Sequence, residues 1–308
     1  MHYAFYDVFA PEAFAGNQAL VVRTEGMATA GQLQALAAEF NVAEACHYRL
    51  DGGMPRIAFA TSAGPIAVCG HGLLAVLADV ALYAPERRGE SNGFEIVGRG
   101  ISDWTCDVAS SRIVSISARW PGTPEYRGAL AAPEAAEILG IGEDMIPHGQ
   151  PLGVVDSGIR HAVVPVRDEQ ALLAVRPSYG EAMKRYFREH GLADMHVYCL
   201  TGTPCSAPNG IHVRTRNVFP YGVKEESATG SASVALASLL LAGTARKSAQ
   251  CEFEQGVARR GAIVVKRDSP QSDSKEIFRL SGQVVRVASG EDILIPSNID
   301  GHAERDTH

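Results

Sequence analysis

Hydrophobic positions along the chain alternate between short strand-like runs and a few helical stretches. Apolar residues recur at helical spacing over 33–40 and predict an amphipathic helix. A surface helix is predicted over 181–190, and another helix begins near Pro133, a residue favoured at a first helical position. Strands are predicted over 3–9, 19–23, 56–60, 94–97, 112–118, 162–166, 197–200, 211–214, 262–266 and 278–287.

Two stretches, 73–82 and 232–242, are apolar nearly all round, and a helix without a polar face is buried. Each follows a glycine and a polar residue, Gly70-His71 and Gly230-Ser231. Arg56 and Arg216, each in a strand-like run, precede these glycines by the same number of residues. We favour an internal duplication over a coincidence of short α/β motifs.

A break at residues 121–124, Pro-Gly-Thr-Pro, predicts the domain boundary. The expected domains are 1–120, completed by a C-terminal strand near 290–298, and 125–289. Each has strands around a central helix, and a disordered tail is expected over 301–308.

The composition of the chain argues against nucleic acid, membranes and zinc as partners. The net charge of -7 and the pI of about 5.8 provide no field that attracts nucleic acid or an anionic membrane. No apolar stretch is long enough to span a bilayer, and the first residues lack the pattern of a signal peptide. The six cysteines form no C-x-x-C pair, and the histidines form no H-E-x-x-H motif. We therefore expect reduced thiols, a cytoplasmic location and no zinc site.

The two predicted helix starts are candidate anion sites. A helix N-terminus exposes unpaired N–H groups and a partial positive charge, and glycine lets a ligand approach the backbone. If the two halves face each other, both starts converge on one cleft that suits a small carboxylate.

Proton-transfer candidates stand beside these starts: Glu44, Cys69, His71, Glu225, Glu226 and Ser231. Burial of Glu44 would prepare it as a general acid or base, although an exposed loop carboxylate is the favoured interpretation from pattern alone. His71 is either functional or a helix cap or core histidine. A small buried hydrophobe is favoured over a reactive thiol for Cys69, although a helix start would lower its pKa. The two glutamates could be solvated loop charges.

Five segments follow one another along the chain: "DVFAPEAFAGNQALVV", "FNVAEACHY", "CGHG", "RTRNVFPYGVKEESATGSASVALA" and "FEQGVARRGAIVV". In this order they resemble the PhzF-like isomerases, which have the diaminopimelate epimerase fold. The resemblance covers roughly residues 3–290, and the Ala-Thr-Gly-Ser-Ala string at 228–232 with its Arg-Phe-Pro lead-in is its most specific part. It implies an α+β fold of two similar domains, each a curled mixed sheet around a buried helix.

The resemblance also implies roles. Glu44 would move a proton, while His71, Glu226 and Ser231 would hold and polarise a small unsaturated cyclic carboxylate. Amides of Gly70-His71 and Gly230-Ser231 would bind the carboxylate. Further contacts with the substrate are expected from Asn17, Gly72 and Thr229. We expect no cofactor, no metal and a homodimer, with a role in secondary metabolism such as antibiotic biosynthesis.

Departures from the family pattern point to a remodelled pocket. They are Ala43 for serine, Gly72 for proline, Glu226 for aspartate and Ser227 for proline, with Cys69 before the glycine. "CGHG" also resembles the thiol motif of cofactor-free amino-acid racemases and epimerases. Their second thiol is missing, because Ala228 stands at the other helix. Two alternatives remain. One is an amino-acid epimerase or racemase, or a related proton-transfer enzyme, that uses Cys69, alone or together with Glu44; the other is a non-catalytic metabolite binder.

Overall fold

Strands wrap around one apolar helix in each half of the chain. The structure, a computed structural model, describes residues 2–84, 92–208, 210–220, 225–242, 248–268 and 276–293. They form two units. Unit 1 takes its described residues from Met1–Phe14, Gln18–Pro121 and Gln283–His308, and unit 2 takes its described residues from Ala15–Asn17 and Gly122–Gly282.

The sheet of unit 1 closes on itself around its helix. Its strands follow the order β1-β2-β3-β4-β6-β7-β8-β16, and β16 also pairs with β1. The short β5 lies beside β4. The elements are β1 (His2–Val8), β2 (Asn17–Arg23), α1 (Ala30–Glu39), β3 (Ala45–Asp51), β4 (Met54–Thr61), β5 (Gly64–Ile66), α2 (Gly70–Tyr83), β6 (Asn92–Ile96), β7 (Gly100–Val108), β8 (Ile113–Arg119) and the end of β16 (Ile277–Gly290).

Unit 2 has the strand order β9-β10-β11-β12-β13-β14-β15 and then the first part of β16. Its elements are β9 (Glu125–Ala129), α3 (Ala132–Leu139), a 3-10 turn (Glu143–Met145), β10 (Gly153–Asp156), β11 (Arg160–Pro165), α4 (Glu169–Ala174), α5 (Glu181–His190), β12 (Asp194–Leu200), β13 (Ile211–Val218), α6 (Gly230–Leu240), β14 (Ser248–Gln255) and β15 (Gly261–Asp268).

The order of pairings repeats between the units. In unit 1, β2 pairs with β3 in parallel and β3 pairs with β4 in antiparallel orientation. β4 then pairs in parallel with β6, and α2 lies between these two strands in the sequence. In unit 2, β11 and β12, β12 and β13, and β13 and β14 repeat these three relations, with α6 in the place of α2. Arg56 lies on β4 and Arg216 on the equivalent β13, so the two units repeat one topology, as the fold of two similar domains requires.

The strand that returns to unit 1 differs from the expected one. It is the part of β16 from Gln283 to Gly290, which pairs with β1 from Val8 back to Tyr3. It therefore ends where the predicted strand over 290–298 was to begin. Residues 294–298 and the expected tail 301–308 lie outside the described residues.

The cores form around α2 and α6, whose residues from Gly70 to Ala81 and from Gly230 to Ala237 are buried. The acidic side chain of Asp79 is buried in the first core. Asp79 of α2 accepts hydrogen bonds from the hydroxyls of Tyr6 at 2.5 Å and Tyr48 at 2.6 Å. Within the described residues, no helix has both the length and the apolar character needed to cross a membrane.

Candidate active site

Glu44 reaches the start of α2 because α1 ends in a tight turn. Asn41 has a φ of 48°, in the left-handed region that asparagine tolerates better than most residues. The amide of Val42 then donates to the carbonyl of Ala37, and the Val42 side chain packs against the core of unit 1. Three residues after Val42 the chain enters β3 at Ala45, so Glu44 is held between a buried anchor and a strand.

Glu44, His71 and Cys69 form one cluster. Glu44 Oε2 lies 3.0 Å from His71 Nε2, with 16% of the Glu44 side chain and 4% of the His71 side chain exposed. Cys69 Sγ lies 3.5 Å from His71 Nδ1. Glu44 is thus not the exposed loop carboxylate that the pattern alone favoured, and His71 links a carboxylate to a thiol.

Cys69 is the N-cap of α2, and its sulfur accepts a hydrogen bond from the amide of Gly72 at 3.2 Å. We expected the helix start to lower the pKa of this thiol, and that expectation is wrong. Burial raises the pKa of Cys69 well above its usual value, and its hydrogen bond with Cys46 acts in the same direction. Cys69 is therefore a buried, protonated thiol at neutral pH.

The pKa of His71 also departs from its usual value. Burial by itself would lower its pKa, but the neighbouring Cys69 sulfur and Glu44 carboxylate outweigh burial. The pKa of His71 is raised well above its usual value. Glu44 is thus held against a buried ring, and a carboxylate in this position can accept a proton from a bound substrate.

Gly72 occupies a position that admits no side chain. A Cβ there would lie 2.5 Å from Cys46 Sγ, 3.0 Å from Cys69 Sγ and 3.2 Å from a ring carbon of Phe59. Its amide is already bonded to Cys69. The expected contact between Gly72 and the substrate gains no support from this geometry, which assigns the residue to packing and capping.

Unit 2 carries a second polar cluster, centred on Glu226. Its Oε1 accepts a hydrogen bond from Asn17 Nδ2 and its Oε2 accepts one from the Thr229 hydroxyl, each at 2.5 Å. Gln255 donates to the Glu226 carbonyl at 3.0 Å and accepts from the Thr229 amide at 2.9 Å. Asn17 and Thr229 therefore orient the Glu226 carboxylate. Gln255 was missed as a site residue, although it lies in a segment that carries the resemblance.

The start of α6 differs from that of α2. Thr229 is its N-cap but forms no side-chain cap, because its hydroxyl is directed to Glu226. Ser231 is buried in the first turn. Glu225 lies apart from this chemistry, since it accepts hydrogen bonds from Nε of Arg216 at 3.0 and 3.2 Å. Of the two candidate glutamates, Glu226 joins the cluster at the helix start and Glu225 forms a structural ion pair.

Comparisons with known proteins agree with this architecture. A Bacillus anthracis phenazine biosynthesis protein of the PhzF family superposes with a TM-score of 0.78, at 20% identity and with coverage of 96% of this chain and 99% of the other. A Deinococcus radiodurans protein named an uncharacterized isomerase is 29% identical over 73% of this chain and 71% of its own length. The trans-2,3-dihydro-3-hydroxyanthranilate isomerase of Pseudomonas chlororaphis is 26% identical over 95% of this chain and 99% of its own length.

The two repeated units therefore constitute the diaminopimelate epimerase-like fold, as the resemblance implied. The model of the phenazine biosynthesis-like (PhzC-PhzF) family matches residues 6–290, and the chain belongs to that family. It is an enzyme of the isomerase class. This excludes the non-catalytic metabolite binder considered above.

Proposed function

We propose that the enzyme moves a proton and a double bond within a small unsaturated cyclic carboxylate, with Glu44 as the general acid–base. The observation that carries the proposal is the 3.0 Å contact between Glu44 and His71 at the buried start of α2. The name of the Pseudomonas relatives describes a partly reduced ring acid, which is a substrate of this class. A role in secondary metabolism is part of the same proposal.

In the proposed reaction, Glu44 removes a proton from a ring carbon and the electron pair of that C–H bond forms the new double bond. The former double bond takes up a proton at its far carbon, from the carboxyl group of Glu44. Atoms and charge balance without any redox partner. We therefore propose that the reaction needs neither a cofactor nor a metal, a point that activity after dialysis against a chelator tests.

His71 positions Glu44 in this scheme through their 3.0 Å contact. We propose that the amides of Gly70 and His71 and the uncapped start of α6 at Gly230 and Ser231 bind substrate carboxylate. Glu226, which accepts hydrogen bonds from Asn17 and Thr229, is proposed to polarise the substrate. The homodimer and the cytoplasmic location expected from the sequence stay predictions, and light scattering of the purified chain tests the first.

The test is NMR of candidate ring acids with the enzyme in deuterated water, which reports deuterium uptake and the position of the double bond. Glu44→Gln keeps the shape of the side chain but removes the base, so we expect turnover to fall by about a hundredfold or more. Glu39→Gln changes an exposed glutamate of α1 and is the matched control, with unchanged turnover. Near-normal turnover of Glu44→Gln would refute the assignment.

An epimerase reaction is the second candidate, because the Cys69 thiol adjoins the same histidine. Two observations disfavour it: burial keeps Cys69 protonated, and Ala228 offers no second thiol. We expect Cys69→Ser, which keeps a helix-capping hydroxyl, to retain most turnover. If this variant is as inactive as Glu44→Gln and the wild type inverts a stereocentre, the epimerase reaction replaces the isomerase reaction.

A further inference from the structure

The side chains around Glu44 also have the composition of a metal site. One ligand atom each from Glu44, Cys69 and His71 lies within 4.8 Å of the other two. These atoms are a carboxylate oxygen, a sulfur and an imidazole nitrogen, the three donor types that Zn²⁺ binds in proteins. We propose that this cluster is an inhibitory zinc site.

The distances fit tetrahedral coordination. Bond lengths of about 2.0–2.3 Å to Zn²⁺ place neighbouring ligand atoms about 3.4 Å apart for nitrogen and oxygen, and about 3.6 Å apart for nitrogen and sulfur. His71 Nε2 lies 3.0 Å from Glu44 Oε2 and 3.8 Å from Cys69 Sγ. These two distances lie within about 0.4 Å of the tetrahedral values, and the Glu44 oxygen and the Cys69 sulfur lie within 4.8 Å of each other. On binding, the Cys69 thiol gives its proton to solvent and Sγ becomes a thiolate ligand. Any proton on His71 Nε2 also passes to solvent, because only the neutral ring nitrogen binds a metal.

The surroundings favour occupation by an ion. Glu44 Oε2 is buried and forms no hydrogen bond of good geometry, so a lone pair of this oxygen is available within the cluster. Three protein ligands leave a fourth position open, as in catalytic rather than structural zinc sites. A bound ion would occupy the carboxylate oxygen of Glu44 and the Nε2 atom of His71 together. Inhibition of turnover is the part of this inference that rests on the proposed function.

Binding is tested without reference to activity. Protein dialysed against a chelator is titrated with Co²⁺ as an optical probe of thiolate ligation, and then with Zn²⁺ in competition with a chromogenic chelator. We expect one ion per chain and a cobalt–thiolate charge-transfer band. Outer-shell changes at metal sites cost roughly 10–100-fold in affinity, so loss of a ligand in Cys69→Ser or Glu44→Gln should weaken Zn²⁺ binding at least as much.

Cys106→Ala is the matched control, because Cys106 is a half-buried thiol of β7 outside the cluster. It should bind both ions as the wild type does. Absence of binding to the wild type, or equal binding by Cys69→Ser, overturns the zinc site. Because Cys69→Ser keeps the helix cap and Glu44→Gln alters a different ligand, misfolding of one variant does not decide the outcome.

Turnover is measured separately in the NMR assay. We expect Zn²⁺ to inhibit the wild type at the concentration where the Co²⁺ and Zn²⁺ titrations saturate, and a chelator to restore turnover. Full turnover of the zinc-loaded enzyme would overturn inhibition while leaving the binding site established. If no ring acid is isomerised, the proposed function fails, whereas the binding titrations still decide the metal site.

Discussion

Replacing Gly72 with alanine tests the packing that surrounds the catalytic candidates. The new Cβ would lie 2.5 Å from Cys46 Sγ, whereas nonpolar contacts are comfortable at about 3.5–4.0 Å, so the two atoms must separate by about 1 Å. Overpacking of this kind costs about 1–3 kcal/mol. Alanine gains about 0.5–1 kcal/mol over glycine within a helix. We therefore expect Gly72→Ala to lower the free energy of unfolding by about 1–2 kcal/mol.

The assay is equilibrium denaturation by urea in reducing buffer, with the m-value checked for two-state behaviour. Cys46→Ala removes the sulfur that collides with the new methyl group. In that background the penalty of Gly72→Ala should shrink by about 1 kcal/mol, a coupling expected only of side chains in contact. Gly26→Ala is the control, because Gly26 is exposed and a Cβ added there would meet no atom within 4 Å. It should leave stability within about 0.5 kcal/mol of the wild type, or raise it slightly.

Two results would refute this reasoning. One is a Gly72→Ala protein as stable as the wild type. The other is strict additivity of Gly72→Ala with Cys46→Ala, which would show that the sulfur does not restrict residue 72. The same measurements bear on the site, because Gly72 donates to Cys69, and a displaced Cys69 would also displace His71.

Two other predictions concern stability. Asp79→Asn should lower the free energy of unfolding by about 2–3 kcal/mol, because the buried carboxylate accepts hydrogen bonds from Tyr6 and Tyr48; thermal melts that leave the midpoint unchanged would contradict this. Burial lowers the pKa of His47 and of His196 to about 4, so the unfolded chain takes up protons that the folded chain does not as pH falls below about 6.5. Each histidine should remove up to about 3 kcal/mol of stability between pH 6.5 and 4, and denaturation of His196→Gln should show a shallower loss.

The pattern of apolar residues predicted the long apolar elements well, because a segment made almost entirely of apolar residues is buried wherever it lies in the fold. The two buried helices and the surface helix over 181–190 lie where expected, and the last has the predicted bounds. Strands such as β7 and β9 were not predicted. Their residues are largely exposed or half-buried, so they have no continuous apolar run.

The site was predictable by residue type but not by arrangement. "CGHG" identified a helix start, yet the 3.0 Å approach of Glu44 depends on the left-handed Asn41 turn that ends α1. The pKa of Cys69 was predicted in the wrong direction because a helix start was weighed without burial. The proposed zinc ligands match no spaced sequence motif, because Glu44 is distant from residues 69 and 71 in sequence and only the fold brings it next to them.

The shared strand β16 sets the order in which the protein can be completed on the ribosome. Tyr3 of β1 pairs with Gly290 of β16, so the sheet of unit 1 closes only after residue 290 has been synthesised. Until then β1 presents an unpaired edge, a known route to misassembly of nascent chains. The span from residue 122 to residue 282, which supplies almost all of unit 2, is complete before that closure. Vectorial synthesis thus favours maturation of the C-terminal half first, and the N-terminal half, although made earlier, finishes last.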